Sequence, residues 1–205
     1  MKAFLPALSL GSLLYTSCAD KITAPPLPTP PEVDDHGHGI GCSWYCGAPP
    51  ISINASTTLR DGIHSYDVSN IHDYKKDTVW VEGAEGYGIG ESVTFHFDTR
   101  AKQYEERENP LGINRLSLIN GFARTSTHWS QNSRVKTLKI LVNGKYLSTV
   151  NLKDTVEPQS VEFPDITFKP GTITQVSFVI TDVYPGTHFQ DTAIADIFFS
   201  GFGVH

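Results

Sequence analysis

Leu138-Lys139-Ile140-Leu141-Val142-Asn143-Gly144-Lys145-Tyr146-Leu147-Ser148-Thr149-Val150 is the stretch that decides the architecture. Leu138, Ile140 and Val142 alternate with Lys139 and Leu141. Side chains two apart share one face of a strand, so this pattern packs one face and leaves the other toward solvent. Asn143-Gly144 then stands between two such runs, a strong hairpin signal. A strict two-residue turn sets Leu141 opposite Tyr146 and Ile140 opposite Leu147. Val150 and Leu152 then fall on the wrong face. A bulge near Leu147–Thr149, or a longer loop, is therefore expected.

The same period recurs outward from the hairpin. Ile51 and Ile53 alternate with Ser52 and Asn54, and Val93, Phe95 and Phe97 alternate with Thr94 and His96. Leu116 and Leu118, Val161 and Phe163, and Val176, Phe178 and Ile180 follow, and Ile194 through Phe202 closes the series. Pro170-Gly171 and Pro185-Gly186 mark turns between runs. One short helix is expected, Ser69 to Tyr74, with Ser69 as its N-cap. The fold class is all-β, an antiparallel β-sandwich of eight or so strands.

Composition narrows the function. The 205 residues include 16 Lys+Arg and 22 Asp+Glu, for a formal charge of -6. An acidic chain lacks the basic face that displaces counterions from a nucleic acid, so no nucleic-acid partner is expected. Aromatic residues make up 11% of the chain, enough for a packed core. The 3 Cys cannot all pair within the chain.

The N-terminus accounts for the odd cysteine. Lys2 precedes an apolar run from Ala3 to Tyr15 that is too short to span a bilayer, followed by Thr16-Ser17-Cys18. Residues 1–17 resemble a bacterial lipoprotein signal, which implies acylation of Cys18, a membrane anchor and location in the cell envelope, periplasmic or surface. Residues 18–41 form a linker. Its prolines from Pro25 to Pro31 favour extended polyproline II, and Asp34, Asp35, His36 and His38 make a solvated stretch rather than a metal site. Residues 42–205 form the domain. Cys42 and Cys46 are expected to form a disulfide in an exported chain, with Trp44 and Tyr45 as a cap on the core.

Several motifs together carry a family resemblance. They are Cys42-Ser43-Trp44-Tyr45-Cys46-Gly47, Asp77 to Gly83 leading into Gly86-Tyr87-Gly88-Ile89-Gly90-Glu91, Ile119-Asn120-Gly121, Asn132 to Lys136, Val183-Tyr184-Pro185-Gly186, and Asp191 to Ile197. The chain resembles the discoidin-like (coagulation factor 5/8 type C) domains, in the branch attached to streptococcal NAD glycohydrolase. The resemblance implies a jelly-roll, galactose-binding-like sandwich without catalysis, whose loops at one end bind glycans, other ligands or membranes. Asp196 stands where this branch often has Glu.

Candidate ligand-binding residues are Glu82, Tyr87, Trp129, Asn132, Arg134, Tyr184, His188 and Asp191. Trp129 with Asn132 and Arg134 offers an aromatic platform beside planar donors, the chemistry a sugar site needs. Arg134 bridging to Asp191 or Glu82 is the structural alternative. Glu82 and Glu91 are expected to brace the glycine loop, with a structural calcium left open. The glycine spacing is not the dinucleotide fingerprint and precedes a strand, so its glycines are expected to supply positive backbone angles. Trp80 is expected in the core. Ser133-Arg134-Val135-Lys136 has S-x-x-K spacing without the other signatures of that enzyme class. No catalytic residues, metal or cofactor are assigned. The expected function is a lipid-anchored module binding carbohydrate. The alternatives are an envelope structural or protein-interaction lipoprotein, or an unrecognised hydrolase.

Overall fold

The computed structural model describes residues 47–203. The signal segment, the linker with His36 and His38, and Cys18, Cys42 and Cys46 lie outside the described residues.

The elements run β1 (Pro50–Ala55), a 3-10 turn (Val68–His72), β2 (Trp80–Val81), β3 (Ser92–Asp98), α1 (Lys102–Glu105), β4 (Leu111–Asn120), α2 (Ser126–Gln131), β5 (Ser133–Val142), β6 (Lys145–Asn151), β7 (Gln159–Phe168), β8 (Ile173–Tyr184) and β9 (Thr192–Phe202). Hydrogen bonding follows the order β1-β3-β8-β5-β9-β4-β7, with β6 added on β5 and β2 on β9. The β5–β9 link is parallel and only two pairs long, Ser133–Thr192 and Arg134–Ala193. It joins two antiparallel leaves, β1-β3-β8-β5-β6 and β7-β4-β9-β2. The result is the all-β jelly-roll sandwich of the discoidin-like, galactose-binding-like type.

Aromatic rings fill the space between the leaves. Phe97 of β3 stacks on Phe168 of β7 at 4.7 Å, and Phe95 meets Phe199 of β9 edge-on at 4.8 Å. Each such burial stabilises the fold by roughly 1.5–3 kcal/mol. The alternation that marks β3 holds residue by residue, with Val93, Phe95 and Phe97 buried. β9 departs from it, because Thr192 through Ile197 are all buried. Its outer face is covered by the segment around the 3-10 turn, where His72 Nδ1 lies 2.6 Å from the Ile197 carbonyl. Tyr74 also packs on Phe198 there, at 4.6 Å. Trp80 is fully buried, as expected, and its Nε1 donates to the Thr57 carbonyl at 3.1 Å.

The hairpin resolves as its parity required. Val142 pairs with Lys145 and Leu141 with Tyr146, but Ile140 pairs with Ser148, so Leu147 is the bulged residue. The turn keeps two residues, with φ of 49° at Asn143 and 77° at Gly144. Val150 and Leu152 are thereby returned to the buried face.

Two local expectations need correction. The short helix is a 3-10 turn capped by Asp67, whose side chain accepts from Ser69 N at 2.9 Å. It ends at His72, and Tyr74 adopts φ 64°, which no right-handed helix accommodates. Ile51 is exposed, because the β1–β3 register shifts between Pro50 and Ser52 and places it in a bulge on an edge strand.

Candidate functional site

The topology divides the molecule into two poles. β1, β4, β6 and β8 end, and β3, β5, β7 and β9 begin, at a loop pole. The opposite, terminal pole holds the β3–β4 and β7–β8 connections. It also receives both ends of the described chain, since Tyr104 Oη donates to the Gly47 carbonyl at 3.0 Å and Phe202 pairs with Gly112. All eight candidate residues fall at the loop pole, on the segments 82–91, 121–134 and 184–191.

The leaves are stitched there by polar side chains. Asn120, at the end of β4, is buried and mimics a strand neighbour of β5. Its Nδ2 donates to the Val135 carbonyl at 2.7 Å, and its Oδ1 accepts from Val135 N at 3.0 Å. Trp129 Nε1 in turn donates to the Asn120 carbonyl at 2.9 Å. Gly121 is required beside it: at φ 80° an added Cβ would lie 2.5 Å from Arg134 Cγ and 2.9 Å from Trp129 Cδ1. The Ile119-Asn120-Gly121 motif thus serves the joint between the leaves.

Arg134 is 7% exposed and donates four hydrogen bonds. Its Nε and Nη2 grip both carboxylate oxygens of Asp154, at 3.0 and 2.8 Å. Nη1 donates to the Asn132 and Pro185 carbonyls, and the guanidinium lies over the Trp129 ring, 4.5 Å from its centre. The bridge expected to Asp191 or Glu82 is therefore formed with Asp154, on the β6–β7 loop. Asn132 Nδ2 closes α2 by donating to the His128 carbonyl at 2.8 Å, and Tyr184 Oη donates to the Leu152 carbonyl at 2.9 Å. Arg134 and Trp129 thus meet each other, while the polar groups of Asn132 and Tyr184 are taken up by backbone carbonyls.

Glu82 is fully buried and braces the glycine loop. It accepts from Thr192 N at 3.0 Å and from Ala84 N at 2.8 Å. Burial is the main cause pushing its carboxyl above the ordinary range. Gly86, Gly88 and Gly90 carry positive φ, as expected of this loop, but Gly83 does not; it is needed for close approach, since an added Cβ would lie 2.7 Å from the Thr58 carbonyl. Gly88 sits at φ 63° directly over the carboxyl, where an added Cβ would come 2.4 Å from Glu82 Cδ. Gly88→Ala should cost about 1–3 kcal/mol through backbone strain and the clash, read as a lower denaturant midpoint. Glu91 accepts from the hydroxyls of Ser56 and Thr57. Tyr87, half-buried, accepts at its carbonyl from Thr192 Oγ1 at 2.9 Å. Among the described residues, no group of three or more His, Cys, Asp or Glu comes together to hold a metal.

Ser133 and Lys136 point apart. Ser133 is buried and accepts at Oγ from Gly186 N, whereas Lys136 is exposed and pairs with Asp182 at 2.7 Å. Three residues along a strand reverse the face, so the S-x-x-K spacing assembles nothing. His188 is exposed on the rim, its ring 4.5 Å from Phe189, and the Asp191 carbonyl accepts from Ser133 N at 3.0 Å.

Sequence reading missed an aromatic strip on this pole. Tyr66 meets Phe122 edge-on at 6.4 Å, and Phe122 lies 4.9 Å from His128. His128 is held by Thr125 Oγ1, 2.7 Å from its Nδ1. Carboxylates flank the strip. Asp61 lies 3.4 Å from Tyr66 Oη, and the charge of Asp191 raises the Tyr66 phenol after burial and Asp61 have done so. Asp61 also accepts from Ile63 N and His64 N at 2.9 and 2.7 Å, and from His64 Nδ1 at 2.8 Å. Those bonds hold its carboxyl far below the usual range. Tyr66 and Phe122 both pack on Val79, Val81 and Ala193 at the β2–β9 edge, and α2 adds His128, so the strip joins residues from 66 to 128. The only local signal was a large aromatic, Tyr66 or Phe122, in an otherwise polar loop.

A jelly roll whose joint, glycine loop and aromatic strip share one pole defines a discoidin-like domain. Residues 44–200 match the family described as NAD glycohydrolase translocation F5/8 type C domain, and the chain belongs to that family. No curated protein matches the chain. Among solved structures, the CBM32-1 and CBM32-2 domains of Clostridium perfringens ZmpB align with a TM-score of 0.51 at 12% identity, covering 74% of this chain and 34% of that one. The same two domains together with the M60 catalytic domain of ZmpB align with a TM-score of 0.53 at 12% identity, covering 77% and 15%. This chain thus spans about a third or less of the length of those structures.

Proposed function

We propose that this chain is a non-catalytic module that binds carbohydrate through the loop pole. The observation that carries the reading is the Tyr66–Phe122–His128 strip flanked by Asp61 and Asp191. Aromatic faces pack against the C–H face of a sugar, and carboxylates accept from its hydroxyls. The family resemblance and the fold shared with the CBM32 domains of ZmpB support the same reading. Tyr87, His188 and Asp191 remain the rim contacts of the original set. Trp129, Asn132, Arg134, Tyr184 and Glu82 act by positioning the loops.

The test is a glycan array followed by titration of any hit. Phe122→Ala and Tyr66→Ala should each weaken binding at least tenfold while leaving the circular dichroism of the sandwich intact. Equal binding by both variants would sink the reading. A second reading, an envelope-protein partner on the same pole, is favoured by the exposed apolar side chains of Ile63, Ile89 and Phe189. It predicts no array hit and capture of one defined envelope protein, lost in Ile89→Ser with Phe189→Ser.

The module is held at the bacterial envelope by acylation of Cys18, on the strength of Leu14-Tyr15-Thr16-Ser17-Cys18. Two or more acyl chains give a stable anchor where one is marginal. Labelled palmitate should enter the wild-type protein and be absent from Cys18→Ser, and retained label in that variant would refute the anchor.

A further inference from the structure

The terminal pole carries chemistry that the loop pole does not use. A cavity of about 550 Å³ opens there between the β3–β4 connection and the β7–β8 turn. That volume lies within the range of roughly 300–1,000 Å³ typical of small-molecule sites. Its walls combine an aromatic ring, Tyr104, and the apolar surfaces of Leu111 and Pro170 with the charged side chains of Arg107, Lys169 and Glu108. Tyr104 is fixed by its bond to the Gly47 carbonyl and by packing against the core, so the wall is preformed.

Arg107 is the unusual element. Arg100, Arg115 and Arg134 each hold a carboxylate, of Asp98, Glu162 and Asp154, while Arg60 and Arg124 are exposed to water. Arg107 forms no ion pair among the described residues, and its Nε is closed off from water without a hydrogen-bond partner. A guanidinium is a planar fork whose donors match the two oxygens of a carboxylate. An unmet donor on such a fork, at the wall of a ligand-sized cavity beside a second cation, is arranged for an anion. The apolar and aromatic surfaces beside it suit the C–H face of a ring.

We propose that this cavity is a second binding site, separate from the loop pole, for a sugar bearing a carboxylate. The carboxylate pairs with the Nε edge of Arg107 after a small rotation of that side chain, with Lys169 adding charge. The ring lies along Tyr104 and Leu111, and Glu108 accepts from a ring hydroxyl. The proposal does not rest on what the loop pole binds.

The test is an amide-resonance titration of the isotope-labelled full chain with glucuronate, with glucose and with glucose 6-phosphate, up to about 10 mM, the weak end for a lone sugar. Glucuronate should shift amides of residues 99–111 and 167–170 in a saturable way, and glucose should not. Arg107→Ala should weaken that response at least tenfold with an unchanged spectrum elsewhere. Arg107→Lys should weaken it less, because charge remains while the fork is lost. In Phe122→Ala the response should persist, and its loss there would move the sugar to the loop pole and overturn the assignment. Shifts of equal size with glucose, a response only to glucose 6-phosphate, no response at all, or full binding by Arg107→Ala would each overturn it too.

Discussion

Arg134→Ala should destabilise the sandwich by about 3 kcal/mol and leave the proposed carbohydrate affinity of the folded fraction within about threefold. The first figure follows from what the substitution strands. Removing one partner of a buried ion pair costs roughly 3–5 kcal/mol. The lower end applies here because the Asp154 side chain is 35% exposed and regains water. The Asn132 and Pro185 carbonyls lose a donor, and Trp129 loses the cation over its ring. Arg134→Lys should recover less than half of the loss, since an ammonium cannot reproduce the two-point grip. Urea denaturation and titration of the same samples separate the two quantities. Unchanged stability with abolished binding would make Arg134 a ligand contact and the present reading wrong.

Asp196→Asn should change how stability depends on pH. Asp196 lies fully buried in the middle of β9, and its Oδ1 accepts from Ile197 N at 3.1 Å. Its Oδ2 has no partner at good hydrogen-bond geometry, and the Tyr74 amide offsets the burial of the carboxyl only weakly. Burial first, and the nearby Asp73 second, push its carboxyl up to about 9. The folded protein therefore keeps a proton that the unfolded chain, near 3.9, gives up. Folding that takes up a proton weakens as pH rises, by at most about 1.4 kcal/mol per pH unit, through the window from about 4 to about 9. His72 opposes this on the acid side, since burial lowers its imidazole and its stabilising neutral form is lost as pH falls. The clean window is therefore pH 7 to 9. There the wild-type melting temperature should fall with pH, and that of Asp196→Asn, which has no proton to hold at this position, should fall less steeply, since the raised carboxyl of Glu82 is common to both. Parallel curves for the two proteins would refute the assignment.

The strands were legible because each carries its own evidence: Val93, Phe95 and Phe97 alternate whatever surrounds them. The bulge at Leu147 was legible for the same reason, since only an extra residue brings Val150 and Leu152 to the face of Leu138 and Ile140. Trp80 and the positive φ angles of the glycine loop followed from size and from the missing Cβ. What stayed hidden depends on three-dimensional partners. Arg134 had Asp191 and Glu82 as plausible acceptors, and the choice of Asp154 was made by the path of the β6–β7 loop. Trp129 has the composition of a sugar platform, yet its indole N–H serves the Asn120 carbonyl. Tyr66 and Phe122 become neighbours only when the β2 and β9 segments pair and bring them onto Val79, Val81 and Ala193. Ser69 and Asp67 are both good caps, and two residues decided which carboxyl or hydroxyl faced the free amide.

The placement of both ends of the described chain at one pole also has a mechanical meaning. A pull between residues 47 and 203 acts on β1 at Pro50, which pairs with Phe97, and on β9 at Phe202, which pairs with Gly112. Both ladders are then loaded from one end, across the strands rather than along them. Their hydrogen bonds open one pair at a time, as in a zipper, instead of resisting together in shear. The stitched loop pole, with Asn120 and the β5–β9 pairs, is the last region the load reaches. Under tension between residues 47 and 203 this module yields first at the pole that holds both of them, while the loop pole keeps its shape.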